Sequence, residues 1–157
     1  MVTDYRAFGM TVIGASHIKS GTVCQDFSLS CELPDRRISV VCDGHGGADY
    51  FRSDRGSRFA ADAFTECMKN PDVISVLSAA ATQKQQSGRI EQLIKSIIAR
   101  WNELVERDIK EHSFGEDELS GVSGKARKRY ETGQRLQSAY GTTLIGVILT
   151  ENFWLGL

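Results

Sequence analysis

Neither sign of charge dominates this sequence, no apolar run approaches the roughly 20 residues a membrane helix needs, and no segment repeats. Nineteen Lys plus Arg stand against twenty Asp plus Glu, a formal net charge of −1, so no global field draws the chain to nucleic acid or to an anionic membrane. No nucleic acid and no membrane partner is expected, and any partner has to be argued from a site. Residues 1–5 lack the basic segment and apolar stretch of a secretory leader, which sets the expectation of a cytoplasmic protein. The cysteines, Cys24, Cys31, Cys42 and Cys67, show neither zinc-ligand nor redox-pair spacing. They read as free thiols, with Cys42 in an apolar run and Cys67 on a helix face, where small buried cysteines are common.

What is present suits one soluble domain: 157 residues, 41% hydrophobic and 25% charged. Met10, Val12 and Ile13 ahead of Gly14 predict a short strand over residues 8–14, and another strand is expected near 24–31. Leu33, Pro34 and Asp35 supply a turn, and the β-branched run over 38–42 predicts a buried strand beyond it. So short a connection makes an antiparallel hairpin, because parallel neighbours need a crossover of about a dozen residues or more.

After Gly46 and Gly47 the pattern turns helical, with Phe59, Ala60, Ala63, Phe64 and Cys67 at three- and four-residue intervals. Ser53 or Asp54 caps this helix and Asn70 with Pro71 ends it; a short helix is expected over 72–81, then a polar loop over 83–88. The clearest helix is expected over 89–112, where Ile90, Leu93, Ile94, Ile97, Ile98, Trp101, Leu104, Val105 and Ile109 form one stripe. Glu91 with Lys95, and Glu103 with Arg107, pair on its wetter side. The stripe suits packing on a sheet better than a partner-binding face.

Glycine, serine and charge replace periodicity over residues 113–138, which reads as a mobile loop. Its basic cluster, Lys125, Arg127, Lys128 and Arg129, is of the ordinary solvated kind or, alternatively, attracts an acidic or phosphorylated substrate. A strand over 142–149, a turn at Glu151 and Asn152 and a second strand over 153–157 complete the pattern.

The chemistry concentrates where the buried strand runs straight into Asp43, Gly44, His45, Gly46 and Gly47. A carboxylate at the end of a strand is held rigidly and can face a hard cation. Gly44 has no side chain to block its own carbonyl, a second oxygen donor. His45, with an ordinary pKa of about 6.5, can give or take a proton near neutrality. The alternative is a glycine-rich turn with incidental polar residues. Asp26, beside Gln25 at the start of a strand, is by itself a turn or cap residue and becomes a candidate metal ligand only in company with Asp43.

Residues 42–47 are similar to the Asp-Gly-His-Gly-Gly signature of type 2C, metal-dependent PPM-family serine/threonine protein phosphatases. Gln25 and Asp26 stand where that family has Glu-Asp or Gln-Asp, and Gly141, Thr142, Thr143 and Leu144 resemble its Gly-Ser/Thr-Thr stretch. The motifs occur in family order and span nearly the whole chain, with early spacing at Ser16, His17 and Gly21 closer to bacterial members. The resemblance implies an α+β fold, an αββα sandwich of two mainly antiparallel sheets with helices outside. It implies that Asp43 bridges two Mg²⁺ or Mn²⁺ ions, that the Gly44 carbonyl binds one of them, that Asp26 holds water on the metal, and that His45 is the general acid. The implied substrate is a phosphorylated protein.

The sequence also departs from the family. Where many members carry a phosphate-gripping arginine, five residues before the aspartate, this chain has Gly21; His17 and Lys19 are the candidate replacements, and either is equally at home on a plain surface. The family's later metal-binding aspartates have no counterpart in residues 1–157. The chain is therefore expected to be the N-terminal portion of one catalytic domain, cut within a strand, inactive alone and prone to self-association through residues 142–157. The rival expectation is a non-catalytic, phosphatase-like regulatory or binding module.

Overall fold

The strand-forming runs pair into one antiparallel sheet in the computed structural model, which describes residues 5–79 and 82–157. Strands β1 (Phe27–Leu33), β2 (Arg36–Cys42), β3 (Ile145–Thr150) and β4 (Trp154–Gly156) lie side by side in sequence order. Leu33 pairs with Arg36, so Pro34 and Asp35 alone make the β1–β2 turn. Proline presets φ for such a turn, and the Asp35 carboxylate accepts from the Arg36 guanidinium at 2.9 Å. Strand alternation sends Ile38, Val40, Cys42 and Ile148 to one face, where all are buried, and Val41, Ile145, Val147 and Trp154 to the other, where Trp154 remains 74% exposed.

Helices cover the first face only. The helix α1 (Ala15–Ser20) precedes the sheet; α2 (Ser53–Lys69), α3 (Pro71–Ser78) and α4 (Gln83–Glu111) follow β2. Ala60, Ala61 and Ala63 let α2 approach the sheet closely, and Phe64 and Met68 fill the space against Ile38, Val40 and Ile148. Full burial of side chains of this size stabilises by about 1.5–3 kcal/mol each. From α4, Leu93, Ile97 and Leu104 close the core, whereas Ile94 and Ile98 of the same predicted stripe stay open, Ile98 at 53% exposure. The chain is α+β, with four antiparallel strands and six helices among the described residues, one sheet under one helical layer. Among those residues no helix is long and apolar enough to cross a membrane.

Several local expectations are corrected. Residues 8–14 form no ladder; this segment runs beside β1 through side-chain bonds, the Ser28 amide donating to Thr11 Oγ1 at 2.8 Å and the Ala7 amide to Glu32 Oε1 at 2.9 Å. The expected polar loop over 83–88 is the first turns of α4, started by a capping box in which the Gln85 amide donates to Thr82 Oγ1 and the Thr82 amide to Gln85 Oε1. Its exposed polar side chains give no apolar stripe to read. The predicted helix over 72–81 begins one residue earlier, with Asn70 capping the Asp72 amide, and its last two residues lie outside the described ones. Lys95 pairs with Glu91 at 2.6 Å as expected, but the partner of Glu103 is Arg100, which also bonds Glu66.

The largest correction concerns residues 113–138. In place of an irregular loop, they form α5 (Glu116–Leu119) and α6 (Gly124–Glu131), and Leu119, Val122, Ala126 and Tyr130 build a second small core with Tyr140 and Phe114. Its anchor is Arg52, only 3% exposed. The guanidinium bonds both Glu118 oxygens at 2.7 and 2.8 Å, the Tyr140 hydroxyl at 2.7 Å and the His112 carbonyl at 2.6 Å, and lies 4.6 Å from the Phe114 ring centre. The Tyr140 hydroxyl donates in turn to Asp108 at 2.5 Å, and Arg55 reaches the same carboxylate at 3.0 Å. Burial alone would raise Asp108, but Tyr140, Arg55 and Arg52 hold it below the ordinary carboxylate value; Arg52 does the same for Glu118.

Removing one member of a buried ion pair strands the other. Arg52→Ala is expected to lower the free energy of unfolding by about 3–5 kcal/mol in urea titration. Because Asp108 and Glu118 titrate below their unfolded values, the stabilisation in the unaltered protein is present above the ordinary carboxylate range of about 4 and is lost as pH falls through the depressed values. A variant within about 1 kcal/mol of the parent, on the order of experimental scatter, would show that Arg52 does not clamp these elements.

Candidate active site

β2 delivers Asp43 to the end of the sheet, and a distant stretch of chain locks it there. The Asp43 carbonyl accepts from the Thr143 amide at 2.8 Å and from the Thr142 hydroxyl at 2.9 Å. Gly44 bridges to Thr142, and the His45 amide donates to the Gly141 carbonyl at 3.0 Å. Thus residues 141–143 are spliced onto residues 43–45 before β3 begins. On the other side, Gly44 is crowded: a Cβ there would stand 2.6 Å from the Gln25 carbonyl oxygen and 2.9 Å from that of Ser53. The missing side chain is what lets the backbone ahead of β1 come alongside, and it sets Asp26 beside Asp43.

The two carboxylates share a cavity of about 430 Å³ walled by Met10, Val12, Val41, Thr143 and Ile145. Its position follows from strand alternation, which puts Asp43 on the helix-free face with Val41 and Ile145. Partial burial raises the Asp26 pKa, the facing Asp43 carboxylate raises it further by charge and hydrogen bonding, and His17 opposes both. His17 therefore reaches Asp26 electrostatically from α1, but neither it nor the exposed Lys19 walls the cavity. Gly21 ends α1 in the left-handed region at φ 68°, a conformation that disfavours an arginine at this position. Gln25 is buried under Gly44 and Gly46 and does not join Asp26 in the cavity.

His45 turns elsewhere. The alternation of β2 carries no further than Asp43, and the imidazole lies on the helical side, edge-to-face with Tyr50 at 4.7 Å between ring centres. There it lines a larger, mostly apolar cavity of about 700 Å³ with Ile94, Ile97, Trp101 and Leu144. The structure thus unites Asp26 with Asp43, keeps His17 within electrostatic reach, and sets His45 across Gly44 from the acid pair. Sequence reasoning saw Gly141, Thr142 and Thr143 as a motif but not as partners of Asp43 and His45, and it missed Tyr50; an aromatic three residues after Gly47 was the available signal.

Among the described residues no three His, Cys, Asp or Glu side chains converge as a metal-holding group. The acid pair is nonetheless an oxygen-only donor set, and two adjacent carboxylates, one with a raised pKa, are the arrangement a hard divalent cation relieves. The fit is to a cation held by few protein oxygens with water completing the remainder of about six positions.

The raised Asp26 carries a signed consequence. Its folded pKa exceeds the unfolded one, so its contribution favours folding at low pH and is lost as pH rises through the folded value. Thermal melts in EDTA between about pH 4 and 8 should show Asp26→Asn lacking that decline and equalling or exceeding the parent at neutrality. A variant less stable than the parent at pH 7 would contradict the repulsive pair.

No curated protein and no solved structure matches the chain significantly. The family model described as protein phosphatase 2C matches residues 13–157, which contain Asp26, Asp43 and His45 together with the Gly141–Thr143 splice. The chain belongs to the protein phosphatase 2C family.

Proposed function

We propose that this chain carries part of the catalytic centre of a metal-dependent phosphatase that hydrolyses phosphoserine and phosphothreonine in proteins. The observation that carries the reading is the Asp26–Asp43 pair at the end of β2, held through the Asp43 carbonyl, with His45 two residues along the chain beyond the buried Gly44. Asp43, Asp26 and the Gly44 carbonyl are the oxygen donors for Mg²⁺ or Mn²⁺, with two ions in the complete centre. Bound there, the cations supply the activation of water and the neutralisation of phosphoryl charge that phosphate-monoester hydrolysis requires. The bonds from the Thr143 amide and the Thr142 hydroxyl to the Asp43 carbonyl hold the backbone from which its carboxylate projects. His45 gives its proton to the serine or threonine oxygen as its bond to phosphorus breaks and a water oxygen takes its place there, so that the neutral alcohol and inorganic phosphate leave. His17 adds positive character beside Asp26, and Lys19, exposed on the same helix, is the weaker candidate for phosphate.

Phosphate release from a phosphothreonine peptide by the complete catalytic centre that includes these residues should require added Mn²⁺ or Mg²⁺ and stop with EDTA, and Asp43→Asn should abolish it. Turnover that survives EDTA or Asp43→Asn would sink the metal-dependent reading. A complete protein containing these residues that binds phosphopeptide but never releases phosphate would instead be a phosphatase-like binding module.

The acid role has its own signature. His45→Gln should lower turnover of phosphothreonine peptide on the order of 10²-fold, the usual contribution of a general acid. The loss should shrink with p-nitrophenyl phosphate, whose leaving group hardly needs a proton. Equal losses on both substrates would assign His45 a structural part.

A further inference from the structure

We propose that Gly141 and Tyr50 form a slot that sets the orientation of the His45 imidazole, and that both are positioning residues for proton transfer. The inference rests on the acid role of His45 proposed above. Among the described residues no group hydrogen-bonds the His45 ring nitrogens, so its orientation is set by shape and not by the hydrogen bond that usually fixes a catalytic imidazole. One wall is the Tyr50 ring, 4.7 Å away at an interplanar angle of 84°. The other is the bare Cα of Gly141. A Cβ on residue 141 would stand 2.6 Å from His45 Nδ1 and 2.8 Å from the Tyr50 ring, closer than side-chain carbons approach. The Gly141 backbone, at φ −53° and ψ 130°, is open to any residue, so the requirement for glycine here is one of space.

Neither wall can retreat easily. The His45 amide is tied to the Gly141 carbonyl at 3.0 Å and the Tyr50 amide to the Gly47 carbonyl at 2.8 Å. Behind Tyr50, the Asp49 carboxylate accepts from the Ser123 amide and hydroxyl at 2.8 Å each, and the Asp49 carbonyl accepts from Tyr130 at 2.7 Å. The helices over residues 116–131 therefore brace the slot from outside. A side chain at position 141 has to expel the imidazole, whereas removing the Tyr50 ring leaves it without a wall.

The three histidines, His17, His45 and His112, make a direct test by NMR practical. In the unaltered protein the His45 ring should show cross-relaxation with the Tyr50 ring; in Gly141→Ala this contact should vanish while the His17 and His112 signals and the melting temperature hold. In the Mn²⁺-loaded protein, Gly141→Ala and Tyr50→Ala should each lower kcat for phosphothreonine peptide by about 10-fold or more, since small misplacement of a catalytic group is costly, with KM little changed and a smaller loss on p-nitrophenyl phosphate. Tyr50→Phe, which keeps the ring, should restore most of the turnover that Tyr50→Ala loses. Persistence of the ring contact in Gly141→Ala overturns the slot, as do equal losses on the two substrates in both variants. If His45→Gln shows the leaving-group dependence and these variants do not, the positioning role alone fails; if His45→Gln lacks it, the acid role fails and the positioning role with it.

Discussion

The buried guanidinium of Arg52 is the contact through which most of the site is held. It stands at the head of α2, yet it reaches the end of α4 through the His112 carbonyl, α5 through Glu118, and Tyr140 through its hydroxyl. A buried cation without these acceptors would be a large cost; with all of them it fixes where four separate stretches of chain meet. Tyr140 is the consequential one, because Gly141, Thr142 and Thr143 follow it directly. Once Tyr140 is anchored between Arg52 and Asp108, those residues fall where they bond the Asp43 carbonyl and the His45 amide.

The two chemical groups of the site are neighbours in sequence and opposed in space. Asp43 still follows the alternation of β2 and opens, with Asp26, toward the helix-free face of the sheet. His45 lies past the strand end, on the helical side, against Tyr50 and above the apolar cavity. Between them Gly44 is packed so closely against the Gln25 and Ser53 carbonyls that no side chain fits there. The chain belongs to the protein phosphatase 2C family, and this arrangement sets an acid pair on one side of Gly44 and an imidazole on the other.

Local sequence determined whatever short-range chemistry controls. Pro34 and Asp35 between two apolar runs dictated the β1–β2 hairpin, the period of Phe59, Ala60, Ala63 and Phe64 dictated α2, and Leu93, Ile97 and Leu104 dictated the buried side of α4. The buried strand leading into Asp43, Gly44 and His45 marked the candidate site, and Asp26 ahead of β1 marked its companion. Only the tertiary structure decided the rest. The helices α5 and α6 are too short to show a period; Arg52 ties α5 through Glu118, 66 residues away in sequence, and Ser123 and Tyr130 tie α6 to Asp49. Gly44 and Gly141 are glycines because other backbones and rings crowd them, a condition no local pattern encodes. The separation of Asp43 from His45 likewise depends on where β2 ends against Thr142 and Thr143, about a hundred residues downstream. Contacts over such distances are set by how the elements pack, because the chemistry of a few adjacent residues does not specify which remote backbone will lie against them.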